Sequence, residues 1–137
     1  MHAPETTAQR GTGPRPVPGR PGTAAQARDL ARDFLHALSP QPTPETTDTV
    51  LLVVSELVTN ALRHAGGLTS LKLYAGKGTV DVVVRDPSAT PPHERPADLK
   101  GASGGFGWPL VRHLAAEVAV TLSPPGGGKS IRATLAR

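Results

Sequence analysis

The sequence predicts an α+β fold, a two-layer α/β sandwich in which a mixed, mostly antiparallel sheet carries helices on one face. Three observations predict it. The periodic segments run helix, helix, strand, strand, helix, strand, strand along 137 residues, a length that holds one domain of ordinary size. The first two helical segments each gather their apolar residues on one side, as elements that cover a sheet do. The strands come in pairs around glycine-bearing turns, which makes hairpins and therefore antiparallel neighbours.

Residues 1–22 precede these elements. They hold five Pro and four Gly with scarcely an apolar side chain. Burial there cannot offset the entropy of ordering, so the expectation is a disordered Pro/Gly/Arg-rich tail followed by one domain over 23–137. Thr23 is placed to cap a helix through Leu38, with Ala27, Leu30, Ala31, Phe34, Leu35 and Leu38 on one face. Ser39-Pro40 ends it. Thr43, Pro44 and Glu45 then open a second helix that runs to about Ala65, where Gly66-Gly67 stops it. Thr69–Ala75 and Thr79–Arg85 read as strands around Gly76-Lys77-Gly78. Residues 86–107 form a long connection rich in Pro, Gly and Ser, the kind of loop a compact domain keeps for function. Pro109 opens a helix to about Ala116, and Val118–Leu122 with Ser130–Ala136 makes the last hairpin.

Composition narrows the class. Apolar residues make up 37% and aromatics 3%, so the core must be Val, Leu and Ala. The absence of cysteine excludes a disulfide framework, a thiol nucleophile and Cys-type zinc, and fits an intracellular address. The net charge of +4 suggests a nucleic-acid partner. About half of that excess, however, comes from Arg10, Arg15 and Arg20 set against Glu5 in the tail, and no basic run is interleaved with aromatics. Direct nucleic-acid binding is therefore not expected. No apolar stretch nears the roughly 18 residues of a membrane span, and the N-terminus lacks a signal-peptide hydrophobic region. A soluble, cytoplasmic protein is expected.

The second helix carries the most chemistry. At ~100° per residue, Val50, Val53, Val54, Leu57, Val58 and Ala61 share a broad apolar arc, and Glu56, Asn60 and Arg63 cluster off it. A solvated helix face would explain such a stripe. The helix is so apolar around it, though, that the polar edge must lie at a boundary or cleft, and Asn is a poor mid-helix residue on propensity alone. An amide oxygen is a hard ligand suited to Mg²⁺, a carboxylate one turn away can take a proton from a hydroxyl or water, and a guanidinium can neutralise phosphate.

Two further features join it. The apolar strand Val80–Arg85 runs into Asp86, either a turn-former bonded to its own backbone or an acceptor for an exocyclic amino group such as adenine N6. Gly104-Gly105-Phe106-Gly107 leads straight into a helix N-terminus, where N–H groups and the helix dipole favour anions and glycine lets the main chain approach a phosphate. Trp108 suits packing better than base stacking. Gly128-Lys129-Ser130 imitates the end of a P-loop, but Ser123 stands where that loop needs its first glycine. A plain hairpin end is the better account. His64 has no metal-ligand partner at useful spacing and suits a packing or hydrogen-bonding role.

Together these elements resemble the Bergerat-type ATP-binding fold of histidine kinases, type II topoisomerases and Hsp90-like chaperones, and within it the bacterial anti-sigma-factor serine kinases. The resemblance covers about residues 23–137. Glu56-Leu57-Val58-Thr59-Asn60-Ala61 with His64 resembles the N-box, and Asp86-Pro87-Ser88 the first glycine box. Gly105-Phe106-Gly107 with Leu110-Val111 resembles the second glycine box, and Gly128–Leu135 the closing strand. The resemblance implies an ATP- and Mg²⁺-binding serine/threonine protein kinase that regulates transcription through a sigma factor and a STAS-type anti-sigma antagonist, and it implies a homodimer. It implies that Asn60 holds Mg²⁺, Glu56 is the base, Asp86 reads the adenine amino group and Arg63 meets phosphate. Gly105 and Gly107 would let a lid approach the triphosphate, and Ser88, Phe106 and Ser130 join the nucleotide contacts. Ser88 departs from the family's usual glycine, and Thr90-Pro91-Pro92 follows in place of another, which stiffens the adenine-side loop. A catalytically inactive ATP-binding partner switch is the alternative.

Overall fold

The computed structural model describes residues 21–64 (of His64 the backbone only), 66–67, 70–88, 107–123 and 127–137. The expected tail and most of the long connection lie outside them. The described elements are α1 (Ala24–His36), α2 (Pro44–His64), β1 (Ser70–Gly76), β2 (Thr79–Asp86), α3 (Gly107–Leu114), β3 (Glu117–Leu122) and β4 (Lys129–Ala136). They form the expected α+β sandwich. The four strands lie in the order β1-β2-β4-β3, and all three pairings are antiparallel.

Local chemistry sets the boundaries. Thr23 caps α1 by accepting from Gln26 N–H at 3.0 Å, and Gln26 Oε1 reaches back to Gly22 N–H at 2.7 Å. Thr43 caps α2 in the same way, accepting from Thr46 N–H at 3.1 Å. Past the end of α2, Gly66 takes a φ of 78° and Gly67 N–H returns to Ala61 C=O at 3.0 Å. The third helix starts two residues earlier than Pro109 predicts and stops two before Ala116. Pro109 sits in the first turn, where a missing N–H costs nothing. Ala116 N–H is drawn instead to Thr134 C=O on β4, at 2.8 Å.

The register places the core. Leu71, Leu73 and Ala75 of β1 oppose Val84, Val82 and Val80 of β2, which oppose Ile131, Ala133 and Leu135 of β4. With a side-chain period of two, these nine residues share one face. All are buried, together with Ala27, Ala31, Phe34 and Leu35 of α1, the apolar arc of α2 and Val111 of α3. Trp108 packs against this cluster as expected. The other face carries Tyr74, Asp81, Val83 and Arg132. There Arg132 bonds Asp81 Oδ2 at 2.8 Å and lies 5.7 Å from the Tyr74 ring centroid.

Leu57 is 1% exposed and Leu52, on the same helix, is 40% exposed. Leu57→Ala is expected to cost about 2–5 kcal/mol, and Leu52→Ala no more than about 0.5 kcal/mol beyond propensity, as read from denaturant unfolding midpoints.

Candidate functional site

Burial of the α2 arc fixes the rotation of that helix. Val50, Val53, Val54, Leu57, Val58 and Ala61 are each at most 2% exposed. Arg28 of α1 donates to Ser55 Oγ at 2.9 Å and pins the two helices together. Glu56 and Asn60 are thereby held half-buried at the edge of the helical layer, one turn apart, and Arg63 is exposed beyond them. The stripe lies at a boundary, as its sequence context demands.

The first residue of α3 sits against that boundary. Gly107 is buried, and a Cβ built on it would lie 2.6 Å from Glu56 Oε1 and 3.6 Å from Asn60 Oδ1. Only a residue without a side chain allows this approach. The end of the glycine loop and the helix N-terminus behind it are thus brought to the carboxylate and the amide at once. Burial pushes the Glu56 carboxyl above the ordinary carboxylate range, with the nearby Arg63 charge opposing the shift.

A second cluster forms where β2 ends. Asp86 is 3% exposed and Lys129, its partner in the register, 7%. Asp86 Oδ1 accepts from Ser88 N–H at 2.9 Å and from Lys129 Nζ at 3.0 Å, and Oδ2 lies 2.9 Å from the same ammonium. The turn-forming role expected of a strand-end Asp is therefore present, together with a buried ion pair. Gly128, at a φ of 84°, presses against the Asp86 and Pro87 backbone so closely that a Cβ would collide with the Asp86 carbonyl.

Ser130 is not brought to this cluster. Its neighbour Ile131 faces the core, so the alternation of β4 turns Ser130 to the opposite face with Arg132, and Lys129 is the residue that reaches Asp86. The hairpin end expected at Lys129 is present, with Leu122 opposite it, and the lysine adds a buried ion pair to that end. The signal was available: Lys129, Ile131, Ala133 and Leu135 share one parity, and a lysine on the apolar parity needs a buried partner. Ser88 takes part through its backbone. Gly105, Phe106 and the His64 side chain lie outside the described residues. Among the described residues no three His, Asp or Glu side chains converge as a metal cluster would, and no helix is long and apolar enough to cross a membrane.

A helix stripe of acid and amide thus meets a glycine helix start on an antiparallel α+β sandwich, a place where an anion such as a phosphate is favoured. The family profile for the histidine kinase-like ATPase domain matches residues 17–135, and the chain belongs to that family. ATP binding and kinase or ATPase chemistry are the activities that membership supports. Comparison with curated proteins gives no match.

Because the folded-state pKa of Glu56 is raised, its carboxyl stabilises the fold fully below its unfolded pKa, and that contribution is lost as pH rises through the folded value. Glu56→Gln should therefore melt at a higher temperature than the parent at about pH 8, with the two converging toward about pH 4 in a thermal-shift series. A constant gap across that range would contradict the burial of the charge.

Proposed function

We propose that this protein is a cytoplasmic serine/threonine protein kinase of the anti-sigma-factor type, which binds MgATP and transfers phosphate to a serine of a small STAS-type antagonist. Through that exchange it would regulate a sigma factor, acting as a homodimer. The observation that carries this reading is the seat of Gly107 against both Glu56 and Asn60. It joins a base, a hard oxygen ligand and an anion-favouring helix start in one place.

The residues fit the roles. Asn60 Oδ1 faces the space that a Cβ at Gly107 would fill, and an amide oxygen is a donor that Mg²⁺ accepts while taking the rest of its shell from phosphate and water. The bound cation would supply charge neutralisation to the triphosphate. Glu56, with its pKa raised by burial, is a stronger base than an exposed carboxylate. It takes the serine proton as the hydroxyl oxygen attacks the γ-phosphorus, and the bond to the β-phosphate oxygen breaks to release ADP. Arg63, exposed beside Glu56, suits phosphate contact. Asp86 supplies the acceptor for the adenine amino group.

A nucleotide-binding partner switch without transfer is the second reading, favoured by Ser88 in place of glycine with its N–H held by Asp86 at 2.9 Å. Incubation with MgATP and a STAS-type antagonist, read as phosphoserine, separates the two. Glu56→Ala should lower transfer by about 10²-fold or more with ATP still bound. Asn60→Ala should abolish the Mg²⁺ dependence of ATP affinity in calorimetry and leave the unliganded melting temperature nearly unchanged, because Asn60 lies off the apolar arc. Unchanged affinity in Asn60→Ala would make the stripe mere surface. No transfer by the parent, with ATP bound, would favour the switch.

Gly107→Ala is the sharper geometric probe. The atom its methyl meets is the free end of a flexible side chain, so the fold should tolerate it. Displacing that carboxylate should still cost transfer about 10²-fold.

A further inference from the structure

The Asp86–Lys129 pair has hydrogen-bonding capacity left over. Lys129 has three N–H donors. Among the described residues its partner is Asp86 alone, with a hydrogen bond to Oδ1 and with Oδ2 2.9 Å away. Asp86 Oδ1 has both acceptor positions filled, by Lys129 and by Ser88 N–H, while Oδ2 receives only Lys129. At least one acceptor position on a carboxylate and at least one donor on an ammonium therefore remain on directly bonded partners. Both side chains are more than nine-tenths buried, where an unused polar valence is costly. A group that offers a donor next to an acceptor would fill both.

The adenine edge is such a group, with the N6 amino hydrogens beside the N1 lone pair. Guanine and hypoxanthine present the reverse, an O6 acceptor beside an N1–H donor, which would set oxygen against the Asp86 carboxylate and a proton against the ammonium. We propose that Lys129 is a specificity-determining residue that donates to adenine N1 while Asp86 accepts from N6, so that the ion pair reads both positions of the base. This rests on the reading of the site as an ATP site. It adds that Lys129 contacts the base directly and does more than hold Asp86 in place.

Calorimetric titration of the full chain with ATP, 1-deaza-ATP and ITP tests it. 1-Deaza-ATP keeps the amino group and replaces N1 by C–H, so it removes only the acceptor that Lys129 would use. The expected result is about tenfold or more weaker binding of 1-deaza-ATP than of ATP, and weaker still for ITP. Lys129→Met should weaken ATP and bring ATP and 1-deaza-ATP to within about twofold of each other. Equal affinity of the parent for the two nucleotides, or a gap that survives in Lys129→Met, would overturn the proposal and leave ATP binding intact. Failure of the parent to bind ATP at all would overturn the nucleotide site itself. Lys129→Met leaves the buried Asp86 unpaired, so a thermal melt accompanies it. If it unfolds, Asp86→Asn combined with Lys129→Met replaces the pair with neutral groups, and the same ratio is read there.

Discussion

The burial of one arc of α2 is the constraint from which the rest of the molecule follows. Six small apolar side chains on that helix are sealed against the sheet and α1. With so few aromatics, close packing of Val, Leu and Ala must fill the interior. A helix held this tightly cannot rotate by even a fraction of a turn without exposing part of the arc. The directions of Glu56 and Asn60 are therefore dictated by hydrophobic packing on the other side of the helix. The chemistry is positioned by a surface it does not touch.

Two buried-acid environments result, and they differ in kind. Glu56 has little to compensate its charge beyond an exposed arginine, so desolvation dominates and the proton is held more tightly. Asp86 is more deeply buried yet is met by an ammonium and a backbone N–H within 3.0 Å. One carboxylate stands with its charge little offset, and the other is held by an ammonium and a backbone N–H. That difference comes from neighbours alone, since both groups are the same functional group.

Much of this is legible in the sequence, for identifiable reasons. The helix caps Thr23 and Thr43, the stop at Gly66-Gly67 and the hairpin at Lys77-Gly78 are local chemistry and appear where the residues place them. The stripe is legible because helical periodicity is rigid over 21 residues. The start of α3 is less so, because Pro109 fits anywhere in a first turn. Lys129 and Ser130 require the register of β4 against β2, a long-range fact that a turn motif obscures. The contact between Gly107 and Glu56 has no sequence signal beyond the glycine itself, because it depends on how α3 packs on α2.

That contact also ties together the sizes of two distant positions. Any side chain gained at 107 must be met by a shift of the Glu56 carboxylate or by a shorter acid such as Asp, and either one moves the charge along with the bulk. Drift at either place is therefore coupled to the other through sheer volume. A redesign that seeks a stiffer loop by replacing Gly107 would keep the fold and move the acid.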